Sequence, residues 1–291
     1  MDREAHELYE LGLQHMWEGE VDAALDAYAR AFAVAESDDV RELITIRKAE
    51  AMIATDRDGQ EVSALPGIVL RRRSPRHVYL AAYALMRKFS EANERQRALF
   101  YGQIASKSSD EMGEPLARAN VLNGLGVILA AESKLRDAVE AFDKALGAIA
   151  FVADQDTRIL ALRAGITANL GGTKVLLNVF DDGIALIESA IERLDTDVDR
   201  AEAYLDLAVG YLGVEKYEVA RRIALLGLEL ASTRRQVRNA NHLLGEICVR
   251  TNRYDEADKY FDVVAGFYPD FANVKQLLVA VDLCSVVNWK A

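Results

Sequence analysis

The stretch NHLLGEICVRTNRYDEADKYFDVVAGFYPD, Asn241 to Asp270, reads as two helices around a short turn. Leu244-Gly245 lies in the first helix, Tyr254 and Ala257 in the second, Phe261 follows, and Pro269 closes the stretch. Gly245 and Ala257, twelve positions apart, would let two antiparallel backbones approach closely while Leu244 and Phe261 fill the flanking volume. One such pair buries only part of its apolar surface, so neighbours must stack on it to complete the core.

The chain supplies those neighbours. Aligned on Leu244-Gly245 are Leu11-Gly12, Leu125-Gly126, Leu170-Gly171 and Leu207-Ala208. Twelve residues past the small position stand Ala24, Ala138, Gly183, Ala220 and Ala257. Sixteen past it stand Tyr28, Phe142, Ile187, Ala224 and Phe261; nineteen past it, Ala31, Ala145, Ala190, Gly227 and Val264. Five segments agreeing at spaced positions mark an internal repeat.

These residues resemble the tetratricopeptide repeat, with Leu-Gly in its first helix, then Ala, Phe, Ala and a closing Pro. The usual first-helix Trp is absent: Leu8, Leu122, Thr167, Tyr204 and Asn241 take its place. The resemblance implies an all-α, right-handed α-solenoid of about seven antiparallel helix pairs with a C-terminal capping helix. From Gly12 to Gly126 is 114 residues, room for three steps of the later 37-residue spacing. Two degenerate pairs are therefore expected there, Val40–Thr55 with Gly59–Arg72 and Arg76–Lys88 with Glu91–Ser106, Pro66 kinking or shortening its helix. The expected organisation is one solenoid over 1–291, with degenerate repeats at 5–106, regular repeats at 112–270 and a cap at 271–288. The polar SKSSDEMGEP, Ser106 to Pro115, reads as a longer loop and a weak joint.

Composition agrees with an all-helical protein: 51% of 291 residues are hydrophobic and only 4 are proline. A net charge of −11 repels phosphate backbones, so no nucleic-acid partner is expected. MDREAHELYELGLQ carries charges where an export signal has its apolar run. The longest near-apolar run, Val121 to Ala131, falls short of the ~20 residues that span a bilayer. Cys248 and Cys284 form no CxxC pair. A cytoplasmic protein with incidental thiols and no membrane partner is the expectation.

Catalytic signatures are missing: there is no GxxxxGK[ST], HExxH or GxSxG. Gly124-Leu125-Gly126 has neither a preceding strand nor the third glycine of a dinucleotide fingerprint. His6, His15, His77 and His242 show no i+3 or i+4 pairing, and the acidic runs DTDVDR and DRDG lack calcium-loop spacing. No enzyme activity, cofactor or metal is expected. Two basic clusters, Arg71, Arg72, Arg73, Arg76 and Arg234, Arg235, Arg238, read either as helix C-terminal dipole compensation or as docking points for an acidic group.

The resemblance also implies that first helices line a groove. Its groove positions here include Asn120, Asn123, Val127, Asn169, Val175, Leu205, Val209, Leu212, Asn239 and His242. Asn120, Asn123 and Val127 follow i, i+3, i+7, away from the Leu122, Leu125, Gly126 and Leu129 core face. Asn carries a donor and an acceptor and can hold a peptide backbone in two directions, or it can simply bond neighbouring helices. The groove Lys and Arg of a carboxylate clamp are absent: Tyr9, Leu13, Val127 and Ala168 stand there. The expected function is a protein–protein interaction scaffold that binds a peptide or partner segment in its groove. The alternative is a peptide-responsive bacterial regulator acting on a partner protein.

Overall fold

The computed structural model describes residues 3–152, 157–270 and 273–280, except the side chains of 274, 279 and 280. Among these residues the backbone is helices, turns and short connections, with no strand. Seven helix pairs follow one another: α1 (Arg3–Trp17) and α2 (Val21–Val34), α3 (Asp38–Ala54) and α4 (Gln60–Arg71), α5 (Pro75–Glu91) and α6 (Arg95–Met112). Then come α7 (Pro115–Ala131) and α8 (Leu135–Ala148), α9 (Thr157–Leu176) and α10 (Phe180–Ala190), α11 (Asp197–Gly213) and α12 (Tyr217–Leu230), α13 (Arg234–Arg250) and α14 (Tyr254–Ala265). A last helix, α15 (Val274–Ala280), packs on α13 and α14. Two compact units divide at Gly124 and Leu125, inside α7.

Every pair turns the same way. Seven residues past the small position the backbone is left-handed: Gly19 (φ 78°), Asp56 (52°), Asn93 (58°), Ser133 (60°), Asn178 (61°), Glu215 (60°) and Asn252 (60°). The next amide closes a six-residue ring onto the first helix, from Glu20 to the His15 carbonyl at 2.8 Å and likewise from Arg57 to Met52, Glu94 to Phe89, Lys134 to Leu129, Val179 to Lys174, Lys216 to Tyr211 and Arg253 to Cys248. This is Schellman closure, which satisfies carbonyls the ending helix leaves open. Its recurrence places the first-helix packing positions of the two degenerate pairs at Ala49 and Met86.

The small positions are where helices cross. A Cβ on Gly126 would stand 2.5 Å from Phe142, one on Gly12 2.4 Å from Tyr28 and one on Gly245 2.3 Å from Phe261. Gly171 and Gly183 face each other, each Cβ position within 3 Å of the other's carbonyl oxygen. In the α5–α6 pair the volumes are exchanged. Met86 occupies the usual small position, while Gly102 takes the place held elsewhere by an aromatic ring, between the fully buried Ala98 and Ala105. In the α3–α4 pair Glu61 stands twelve past Ala49, its carboxylate held 2.5 Å from the Lys48 ammonium.

Several sequence expectations are corrected. Ser106 to Met112 is not a loop but the last turns of α6, with Ser108 and Ser109 buried and the Ser109 hydroxyl donating to the Ser106 carbonyl at 2.7 Å. Serines that bond back to the helix backbone extend it while reading as polar. The connection is only Gly113 and Glu114, and the division between units falls ten residues further on. Pro66 does not end α4, which continues to Arg71. Arg234 and Arg235 do not follow a helix but begin α13, capped by Thr233 and Gln236 in a capping box. Of the expected cap Phe271–Val287, Val274–Ala280 is helical; residues 271–272 and 281–287, like Cys284, lie outside the described residues.

Candidate functional site

In the second unit the first helices α9, α11 and α13 pack side by side. Their small residues bring them close: a Cβ on Gly172 of α9 would stand 2.1 Å from an Asp206 carboxylate oxygen of α11. Along this row polar side chains are buried or half-buried. Asp206, Asn239, Asn241, His242 and Glu246 are each 5–7% exposed, and Asn169 is half-buried.

Neighbours hold these groups in fixed orientations. The Arg238 guanidinium donates twice to Asn239 Oδ1, at 3.1 and 3.0 Å, and Arg250 donates to Glu246 Oε1 at 3.3 and 3.0 Å. Arg235 of α13 spans to α11, where it bonds both oxygens of Glu202 at 3.2 and 3.1 Å. Gln236 donates to the Val198 carbonyl at 2.7 Å, tying the start of α13 to the start of α11. Asn241 is used locally, donating to the Val237 carbonyl one turn back. Burial, with the Arg238 charge adding to it, pushes His242 down to about 4, so its ring is neutral near pH 7 and edge-on to Phe261 at 6.3 Å.

The sequence-expected residues divide between surface and core. Asn120 and Asn123 are half-buried on the first-unit part of α7, and Val127, on the second-unit part, is 38% exposed. Val175 lies in the core between α9 and α11, and Leu205 and Leu212 in the core between α11, α12 and α13. Val209 is half-buried against both cores. Packing between helices therefore uses most of the expected apolar floor. What the α9–α11–α13 row presents is Asn169, Val209 and the rim of buried Asp206, Asn239, His242 and Glu246.

The fixed carboxylates were legible only as positions. Asp206 and Glu246 sit on the groove face of the sequence pattern, but only the structure shows them buried and held. The basic clusters are partly engaged: Arg71 donates to Glu42 at 3.2 and 2.9 Å, and the Arg234 guanidinium lies 5.6 Å from the Phe267 ring centroid. Arg73 and Arg76 are exposed. Among the described residues His15, Glu18 and Glu20 bring three possible metal-ligating atoms within 4.8 Å of one another, on a turn where His15 and Glu20 already pair at 2.7 Å. Cys248 is buried, and burial raises its thiol pKa, which leaves it unreactive. No described helix is long and apolar enough to cross a membrane.

No protein-family model matches the sequence, and no curated protein matches it. Solved structures do match. The structure of NprR in complex with its cognate peptide NprX aligns over 96% of this chain and 83% of its own, with TM-score 0.69 and 12% identity. A Rap protein complexed with competence and sporulation factor aligns over 97% and 78%, with TM-score 0.67 and 14% identity. A signal transduction ATPase with a tetratricopeptide repeat sensor, from Pyrococcus horikoshii, aligns over 94% of this chain and 44% of its own, with TM-score 0.66 and 12% identity. At such identities the likeness establishes the fold: this is an all-α solenoid of the tetratricopeptide-repeat type.

Proposed function

We propose that the protein is an interaction scaffold that holds a peptide or extended partner segment against the α9–α11–α13 row. One observation carries this reading: amides and carboxylates stand in fixed orientation on neighbouring helices, at Asn169, Asp206, Asn239 and Glu246, instead of the mobile Lys and Glu of an idle solvated face. An extended backbone presents alternating donors and acceptors, and such a row can meet both. Each bond would contribute ~0.5–1.5 kcal/mol net, with Val209 adding apolar contact. Asn120, Asn123 and Val127 on α7 are candidates to extend the same recognition.

A second reading, a peptide-responsive regulator acting on a partner protein, draws on two of the matching structures, NprR and a Rap protein, each described as a peptide complex. Catalysis has no part in either reading. Proteins that co-purify with the chain identify the partner, and its affinity for the Asn123→Ala, Asn169→Ala double variant tests the face. A folded double variant should bind at least tenfold more weakly. Undiminished binding would place recognition elsewhere.

A further inference from the structure

The first unit carries a second polar cluster, built largely of tyrosines. Tyr28 of α2 fills the slot over Gly12 that Phe142 and Phe261 fill over Gly126 and Gly245. Phenylalanine satisfies that slot twice, so packing does not require the hydroxyl. Yet Tyr28 is 1% exposed, and its hydroxyl has no hydrogen-bond partner among the described residues. A buried polar group without a partner is costly to keep.

Tyr28 does not stand alone. The Tyr9 ring of α1 lies 6.2 Å away, and its hydroxyl accepts from Arg47 Nε of α3 at 3.2 Å. Arg47 Nη1 in turn bonds Glu50 Oε2 at 2.7 Å, leaving Glu50 Oε1 available. Helix α5 packs on α3 and carries Tyr79, 6% exposed, and half-buried Tyr83, stacked with centroids 5.7 Å apart. Their hydroxyls also have no partner among the described residues. Burial raises all three phenol pKa values, and Glu50 adds to the rise in each, which sets its carboxylate within electrostatic reach of Tyr28, Tyr79 and Tyr83.

We propose that Tyr28, Tyr79, Tyr83 and Glu50 form a cradle for an alkylammonium group, the side chain of a lysine in a bound peptide. Phenol oxygens and the open carboxylate oxygen accept from the ammonium, and the stacked rings face a cation with their negative π surfaces. An anion fits poorly. Glu50 already occupies Arg47, and the charges of Glu10 and Glu114 reach Tyr28 and Tyr79. The whole chain, at −11, also draws cations. This site lies wholly within the first unit, so it stands or falls apart from the α9–α11–α13 row.

The test is fluorescence anisotropy at physiological salt with a labelled octapeptide of alternating Lys and Ala, beside Gln–Ala and Glu–Ala versions and free spermidine as competitor. The Lys peptide should bind at least tenfold tighter than the Gln peptide, and spermidine should displace it only in large excess. Tyr28→Phe, which keeps ring and charge, should weaken Lys-peptide binding threefold or more without lowering Tm, and Glu50→Gln should weaken it about tenfold. Equal binding by Tyr28→Phe and Glu50→Gln would reduce the attraction to general acidity and overturn the proposal. Binding of the Glu peptide as tight as the Lys peptide would overturn it too, as would a lowered Tm in Tyr28→Phe, which would make the hydroxyl structural. Displacement by equimolar spermidine would make a free polyamine the occupant and overturn the peptide assignment.

Discussion

Phe142 crosses Gly126 so closely that a Cβ at Gly126 would stand 2.5 Å from the ring. No ring rotation frees the space, because Phe142 is itself 1% exposed and packed on every side. Gly126→Leu, and Ala257→Leu at the matching close approach on α14, should each cost on the order of 1–3 kcal/mol or more. Urea denaturation midpoints read the loss, and unchanged midpoints in both would refute the packing.

Glu215 ends α11 in left-handed backbone at φ 60°, where a side chain is strained and glycine is not. Glu215→Gly should therefore stabilise the protein by roughly 0.5–1 kcal/mol, and Asn252→Gly by less because Asn tolerates this region. A lowered midpoint for Glu215→Gly would show that its side chain has an unrecognised structural role.

His242 gives stability a pH dependence of definite sign. Its folded pKa of about 4 lies below the ordinary 6.5, so the unfolded chain takes the proton first. Its contribution is unaffected above pH 6.5, is lost progressively between pH 6.5 and 4, and changes no further below; the full loss is on the order of 3 kcal/mol. Measured at pH 7 and pH 4, His242→Gln should gain stability relative to the native chain as pH falls. A constant difference would contradict this burial.

Glu42 is shared by two cations across three helices. Its Oε2 accepts from Arg71 of α4, and its Oε1 lies 3.3 Å from His77 Nδ1 of α5. Both Glu42 and His77 side chains are 5% exposed. Glu42→Ala should cost on the order of 3 kcal/mol, since it strands buried partners. Thermal denaturation at neutral pH checks it; a change in Tm below about a degree would show the cluster contributes nothing net.

With a charge of −11, the chain should show no affinity for random duplex DNA at 150 mM salt, a condition at which its acidic surface still opposes phosphate. A salt-sensitive gel shift with random duplex is the contrary result.

The repeat was legible wherever it kept its residue types. Gly12, Gly126 and Gly245 recur with an aromatic sixteen residues on, and side-chain volume alone fixes that pairing. It was illegible in α3–α6. Met86 with Gly102 fills the same crossing with large and small exchanged, and Glu61 satisfies its place through Lys48 rather than by being small. Ser108 and Ser109 misled for a related reason: close helix contact selects small residues, and serine is small as well as polar. The candidate face was legible as a register along each helix but not as a surface. Whether Leu205 meets solvent or a neighbour depends on how near α13 approaches α11, which no single helix encodes. The Tyr28 hydroxyl escaped notice because, in sequence, Tyr and Phe fill the same repeat position.

The Schellman turns also divide the chain into transplantable pieces. Three residues join the helices of a pair in α1–α2, α5–α6, α7–α8, α9–α10, α11–α12 and α13–α14, and five in α3–α4. Between pairs the count ranges from two, Gly113 and Glu114, to eight at 149–156. Length varies where one pair meets the next and is almost constant inside each. A splice for shortening, duplicating or grafting this array belongs at a junction such as 231–233, where the module edges lie, and not at the left-handed turns that hold each hairpin shut.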